Sequence, residues 1–263
     1  MIENESNIAL GKMQSHAVHH KATGDHFVVI APPLYEEGVR LRKVLVNVSR
    51  YLCERGYDVV RFDYFGTGFS PGDDLELTLS QAKEDLEQAV AYCGKHGAAD
   101  IAMLGVRFGA YLALSSRINN PNVERVVAWE PITDPGRYLR ALIRSEATSQ
   151  MFIYGKILSD QEQLLQKMAN EGQLYIEGYC VSSEFSDQLN EAPVIDDKFL
   201  CEYRKTTKLI YWQSGREHKY WLEKGFDSLW PQGVKIAYSH IRYLDPAPEA
   251  LFKATLAGIG NNG

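Results

Sequence analysis

Leu104-Gly105-Val106-Arg107-Phe108-Gly109-Ala110 is the stretch whose reading decides the fold. Before it, residues 101–105 are wholly apolar, as expected of a strand buried on both faces. After it, residues 106–114 are almost wholly apolar and read as a buried helix. Gly105 and Gly109 flank position 107 at the spacing of a G-x-S-x-G strand-to-helix elbow. Such a turn needs small residues on either side so that strand and helix can pack closely. It lifts the central side chain clear of the sheet edge and gathers helix-terminal amides that suit an anion. Here the central residue is Arg107, which stays protonated and has no lone pair free for attack. The geometry is that of a covalent catalyst, without its nucleophile.

Outward from this turn, short β-rich runs alternate with segments of helical periodicity. The first strands are read at 16–21 and 26–31, with Thr23-Gly24-Asp25 as a tight turn making an antiparallel edge. Pro32-Pro33 closes the second run, because neither can donate to a ladder. A helix is read over 37–54, stopped by Gly56, then a strand over 57–63 and a loop dense in turn formers, 64–73. Thr78 and Gln81 form a capping box for a helix over 79–95. Another strand, 123–130, ends at Pro131. From 133 to about 204 no strand–helix alternation is evident. It returns with a strand at 208–213, a helix through 220–229, a strand at 234–240 and a last helix from 246 to 257. Repeated βα units predict an α/β protein with a mainly parallel sheet flanked by helices. The core is read as 1–133 and 206–263. Residues 134–205 are read as an inserted helical cap at the carboxyl end of a strand, where open sheets build their sites.

With 263 residues, a full core is affordable without staples. The 28 basic and 34 acidic residues leave a net charge of −6, which excludes a global pull toward nucleic acid. No run is apolar enough for a membrane span, and residues 1–12 lack the features of a secretory signal. Cys53, Cys93, Cys180 and Cys201 match no zinc spacing and read as reduced thiols of a cytoplasmic protein. Neither GxGxxG nor a Walker A sequence is present, so no cofactor and no metal is expected. The partners expected are a small-molecule ligand or a pathway protein, and a homodimer stays open.

The chain resembles the α/β-hydrolase superfamily, in its serine aminopeptidase-like branch. More narrowly, several segments resemble the exosortase A system-associated hydrolases, second subfamily. They are Ala31-Pro32-Pro33-Leu34-Tyr35-Glu36-Glu37, Asp63-Tyr64-Phe65-Gly66-Thr67-Gly68-Phe69-Ser70, the elbow, Trp129-Glu130-Pro131-Ile132 through Tyr138-Leu139, and Ile176-Glu177-Gly178-Tyr179. That subfamily tends to carry arginine where others carry the elbow serine. The resemblance implies the hydrolase fold, with a triad in the order nucleophile, acid, histidine. Glu217, after the strand at 208–213, and His240, near the end of the strand at 234–240, are the residues at the acid and histidine positions.

The charged residues left at the predicted sheet edge allow Arg107 two roles, tying the elbow to the preceding loop or binding a ligand carboxylate or phosphate bidentately. Glu36 and Glu37 follow the strand at 26–31, and Glu130 ends the strand at 123–130. Arg107 is therefore expected within reach of one of these carboxylates, because a buried guanidinium needs a partner. Glu36, Glu37, Arg107, Phe108 and Glu130 are the candidate ligand-binding residues. Three readings follow: a non-catalytic or atypical member binding a small molecule or partner, an ester or thioester hydrolase or acyltransferase with an unusual catalytic set, or a structural subunit of a pathway complex. Ser70 reads as a turn-shaping serine and Cys180 as a buried small residue. His16, His19 and His20 read as solvated histidines of an edge strand. Phe152, Tyr154, Tyr175 and Tyr179 read as core aromatics, with a pocket lining as the other reading.

Overall fold

A computed structural model describes residues 5–117, 120–232, 234 and 247–260. Its strands are β1 (Glu5–Leu10), β2 (Ser15–His20), β3 (His26–Ala31), β4 (Asp58–Phe62), β5 (Asp100–Val106), β6 (Val123–Trp129), β7 (Gln173–Ile176), β8 (Tyr179–Ser182), β9 (Thr207–Ile210) and β10 (Asp227–Leu229). Its α-helices are α1 (Tyr35–Cys53), α2 (Leu79–Lys95), α3 (Phe108–Ser116), α4 (Pro135–Tyr154), α5 (Gln161–Glu171), α6 (Ser183–Glu191), α7 (Gly215–Glu223) and α8 (Glu249–Ile259). Eight strands form one sheet in the order β1-β2-β4-β3-β5-β6-β9-β10. Only β1 and β2 run antiparallel to their neighbours.

Because side chains alternate across a strand, each central strand feeds two cores. Val29, Val60, Met103, Val126 and Leu209 face the side covered by α2 and α3. Val28, Ile30, Val59, Leu104, Val127 and Ile210 face α1 and α8. The buried stripe of α1, Leu41, Val44, Leu45, Val48 and Leu52, recurs at helical spacing and closes that second core. Trp129, fully buried, donates its indole N–H to Thr255 Oγ1 at 2.9 Å and fastens α8 to the sheet.

Several expectations are corrected. The antiparallel edge is made by β1 and β2, closed by a turn in which Gly11 and Gln14 take φ of 61° and 57°. Thr23-Gly24-Asp25 is a crossover instead, because β4 lies between β2 and β3. The signal for β1 was weak, since Glu5-Ser6-Asn7 carries polar residues on both faces. Consequently β2 is not the edge, and two of its three histidines are buried: His19 and His20 are 3% and 1% exposed, whereas His16 is part-exposed. The helix expected through 220–229 ends at Glu223, where Gly225 turns left-handed at φ 77° and lets β10 pair in parallel with β9. Between β6 and β9 the chain is mainly helical, but β7 and β8 form a separate two-stranded hairpin that adds nothing to the central sheet. Its turn, Glu177-Gly178, has positive φ at both residues, as a two-residue hairpin loop of the I′ kind requires. Thr78 caps α2 through Gln81 N, but the Gln81 side chain goes to Asp85, so only half of the expected box forms. Apart from Val234, the strand expected at 234–240 lies outside the described residues, as do His240 and the first residue expected for the last helix.

The buried histidines make the N-terminal edge sensitive to acid. His19 Nε2 lies 2.6 Å from Asp58 Oδ1, and burial holds its pKa below the usual histidine range. Burial, with Arg61 adding to it, pushes His20 down to about 4. A group depressed on folding supplies stability that is complete above its unfolded value, near 6.5, and is lost as pH falls toward about 4. His20 alone is expected to cost about 2 kcal/mol between pH 7 and pH 5. Urea midpoints at the two pH values check this, and His20→Asn should remove most of the difference.

Candidate functional site

The site is built where β3, β5 and β6 end together. β5 pairs with β3 as far as Ala31↔Gly105 and with β6 as far as Val106↔Trp129, so the loops after all three meet at one edge. Arg107 follows β5 with φ 53° and ψ −113°, a conformation rarely adopted outside glycine. The flanking glycines are sterically required. A Cβ on Gly105 would overlap Ala110 Cα, and one on Gly109 would overlap the Ala31 carbonyl. The elbow is thus a held, strained turn with arginine at its apex.

Of the three carboxylates expected near Arg107, Glu37 makes the ion pair. Glu37 sits in the first turn of α1, and its Oε1 accepts from Arg107 Nε at 3.0 Å. The two side chains are 13% and 16% exposed, so this pair is largely withdrawn from water. Tyr138, in the first turns of α4, donates its hydroxyl to Glu37 Oε2 at 3.3 Å. Burial pushes the Glu37 carboxyl up, and Arg107 opposes that by charge and by hydrogen bond. Burial raises the Tyr138 phenol well above its ordinary value, with Glu37 adding to it, so Tyr138 remains a donor. Sequence reading assigned Tyr138 no role. The local signal was its place just past Asp134-Pro135, which starts α4 directly after β6; Asp134 Oδ1 accepts from Arg137 N at 2.8 Å.

Glu130 does different work. It follows β6 with φ 42° and is 1% exposed. Its carbonyl, not its carboxylate, meets Arg107, accepting from Nη1 at 3.2 Å. The carboxylate turns toward the loop after β9, where Oε1 accepts from the amides of Trp212 and Gln213 at 2.5 Å each. Glu130 Oε2 is buried without a hydrogen-bond partner among the described residues. The side chain therefore staples two strand ends together. Glu36 is paired with Arg40 at 2.9 Å, one helical turn on, and not with Arg107. Phe108 is fully buried against Tyr64, Tyr138 and Phe185, a wall of the core with no open face.

The acid position is not assembled. Glu217 lies in the first turn of α7, half-buried, and no hydrogen bond or ion pair joins it to Arg107, Glu37 or Glu130 among the described residues. Ser70 is committed to the backbone: its hydroxyl donates to the Asp63 carbonyl at 2.6 Å and accepts from His16 N at 2.8 Å. Cys180 is buried, and burial raises its thiol. Among the described residues no group of three His, Cys, Asp or Glu could hold a metal, and no helix is long and apolar enough to cross a membrane.

No family model matches the chain, and no curated protein matches it. Solved structures do. Over 97% of this chain and 97% of that one, it is similar to the α/β hydrolase GrgF from Penicillium, with TM-score 0.65 and 14% identity. It is similar over 97% and 99% to Est1E from Butyrivibrio proteoclasticus, a structure with ferulic acid bound, at TM-score 0.63 and 16% identity. A serine hydrolase homologue from Coxiella burnetii is 23% identical but matches over 50% of this chain and 64% of its own length, just under two thirds, with TM-score 0.42. The chain has the α/β-hydrolase fold.

Proposed function

We propose that this chain is a binding member of the α/β-hydrolase fold whose elbow forms no acyl-enzyme. The observation that carries this reading is the Arg107–Glu37 pair at 3.0 Å, braced by Tyr138. A nucleophile needs a proton it can lose, and guanidinium at the apex offers none at neutral pH. Arg107 instead ties the elbow after β5 to the loop after β3. A ligand reaching this edge meets a neutralised pair rather than a bare cation. Within the proposal, 134–205 is a cap on a core of 1–133 and 206–263, and the ligand is a small molecule or a partner protein. The segments resembling exosortase A-associated hydrolases support a role in such a system, in the cytoplasm.

The second reading, an ester or thioester hydrolase or acyltransferase, has one observation in its favour. The backbone strain of the elbow is kept although the serine is not. Hydrolysis of p-nitrophenyl butyrate separates the two. Wild type is expected to match the uncatalysed rate. Arg107→Ser is expected to stay weak, because triad members act as a unit and Glu217 is not aligned with position 107. Wild-type turnover abolished by His240→Ala would overturn the proposal.

A further inference from the structure

Beyond α4's last buried residue, Gln150, the helix runs on as Met151-Phe152-Ile153-Tyr154 with no core beneath it. Of the fifteen exposed large hydrophobic residues described, seven lie between Met151 and Leu165. Phe152 and Ile153 are 81% and 71% exposed, and Tyr154, Ile157 and Leu158 are all more than half exposed. These aromatics are therefore not core. Nor is the segment a loose loop. Gly155 closes α4 in the left-handed conformation, and the Gln150 Oε1 atom accepts from Leu158 N at 3.0 Å and Ser159 N at 2.9 Å. A buried amide thus holds an apolar ledge in place. With Tyr175 beside it, the ledge leaves on the order of 800 Å² of side-chain surface in water, counting 150–250 Å² for each aromatic. Monomers rarely expose patches larger than about 300–600 Å².

Phe152, Ile153, Tyr154 and Tyr175 of the ledge form one wall of a cleft of about 680 Å³, between α4, the first turns of α1 and the β7–β8 turn. Its charged groups are Glu36, Arg40, Arg144, Glu146 and Glu177, three carboxylates against two guanidiniums. Between Met151 and Leu158 the ledge carries one charge, Lys156, which is exposed and has no ion pair among the described residues; Asp160 and Glu162 follow at the start of α5.

We propose that this face binds a second copy of the same chain about a two-fold axis. The ledge and the cleft it walls belong to one surface, so across a two-fold axis the same patch of each copy meets the other, as an isologous contact requires. The apolar ledges of the two copies pack against each other, and Lys156 of each lies at the rim of the other's cleft, which carries one negative charge in excess. About 800 Å² from each copy is the size of a standard stable interface. A lipid surface fits less well, because the chain's net charge is −6 and the ledge offers a single lysine.

Sedimentation of the full chain at about 50 µM tests this. The expected species has twice the 29.7 kDa chain mass. Phe152→Glu and Ile157→Glu are expected each to weaken self-association at least tenfold, with the far-ultraviolet spectrum and Tm unchanged, since neither side chain is in the core. Lys156→Glu should weaken it as well, and by more at low salt. A monomeric wild type, or a dimer indifferent to both Phe152→Glu and Ile157→Glu, overturns the proposal. So does a wild-type monomer that floats with phosphatidylcholine vesicles, which would assign the ledge to a lipid surface.

Discussion

Glu37→Ala is expected to destabilise the protein by about 3 kcal/mol, although Glu37 is a charged residue at a loop–helix junction. Breaking a buried pair by removing one partner costs about 3–5 kcal/mol, because the remaining charge is left uncompensated. The lower end applies here, since Arg107 keeps the Glu130 carbonyl and 16% of its side chain still meets solvent. Tyr138 also loses its acceptor while buried, which adds to the cost. The loss should appear as a lower urea midpoint with an unchanged slope. Arg107→Leu combined with Glu37→Leu should recover much of it, because neither member of the pair is then left buried without the other. An additive loss in the double variant would mean that the two residues contribute separately and that no pair is at work.

The other large effect belongs to Gly109. Gly109→Val is expected to prevent folding or to cost at least about 3 kcal/mol. Its side chain would enter the space of the Ala31 and Pro32 carbonyls, which are backbone and cannot rotate away. Relief requires α3 to move off β3, and α3 is buried along most of its length. Gly94→Val is the control. A Cβ there meets nothing within 4 Å, so only helix propensity is at stake. Soluble, native-like Gly109→Val protein with an unchanged midpoint would show that the elbow is not as tightly packed as its geometry requires.

Much of the fold was legible because its signals are local and strong. Ile101 to Gly105 is apolar at every position and short, as a strand covered on both faces in an α/β protein is. The glycines around Arg107 gave the elbow by their spacing alone. β1 was missed because its sequence is polar and its pairing with β2 depends on Gly11 and Gln14 taking positive φ. β10 was read as helix because the break at Gly225 falls between apolar Trp221 and Phe226, whose rings pack edge-to-face across it. In the candidate site, sequence narrowed Arg107's partner to Glu36, Glu37 or Glu130 without choosing among them. Helical phase makes the choice, turning Glu37 inward and Glu36 toward Arg40. The staple formed by Glu130 was not legible, because it accepts from backbone amides more than eighty residues away, and amides leave no mark in sequence. Tyr138 was missed for a related reason: its only signal is its distance from a strand end.

Whether a covalent acyl-enzyme can form is tested most directly by a fluorophosphonate probe read out by intact mass and peptide mapping. With arginine at the apex and Ser70 bonded to the backbone at both its oxygen and its proton, no adduct is expected at micromolar probe over hours. A stoichiometric adduct on a single serine, removed by unfolding the protein before labelling, would contradict the non-catalytic, binding reading and establish a working nucleophile away from the elbow.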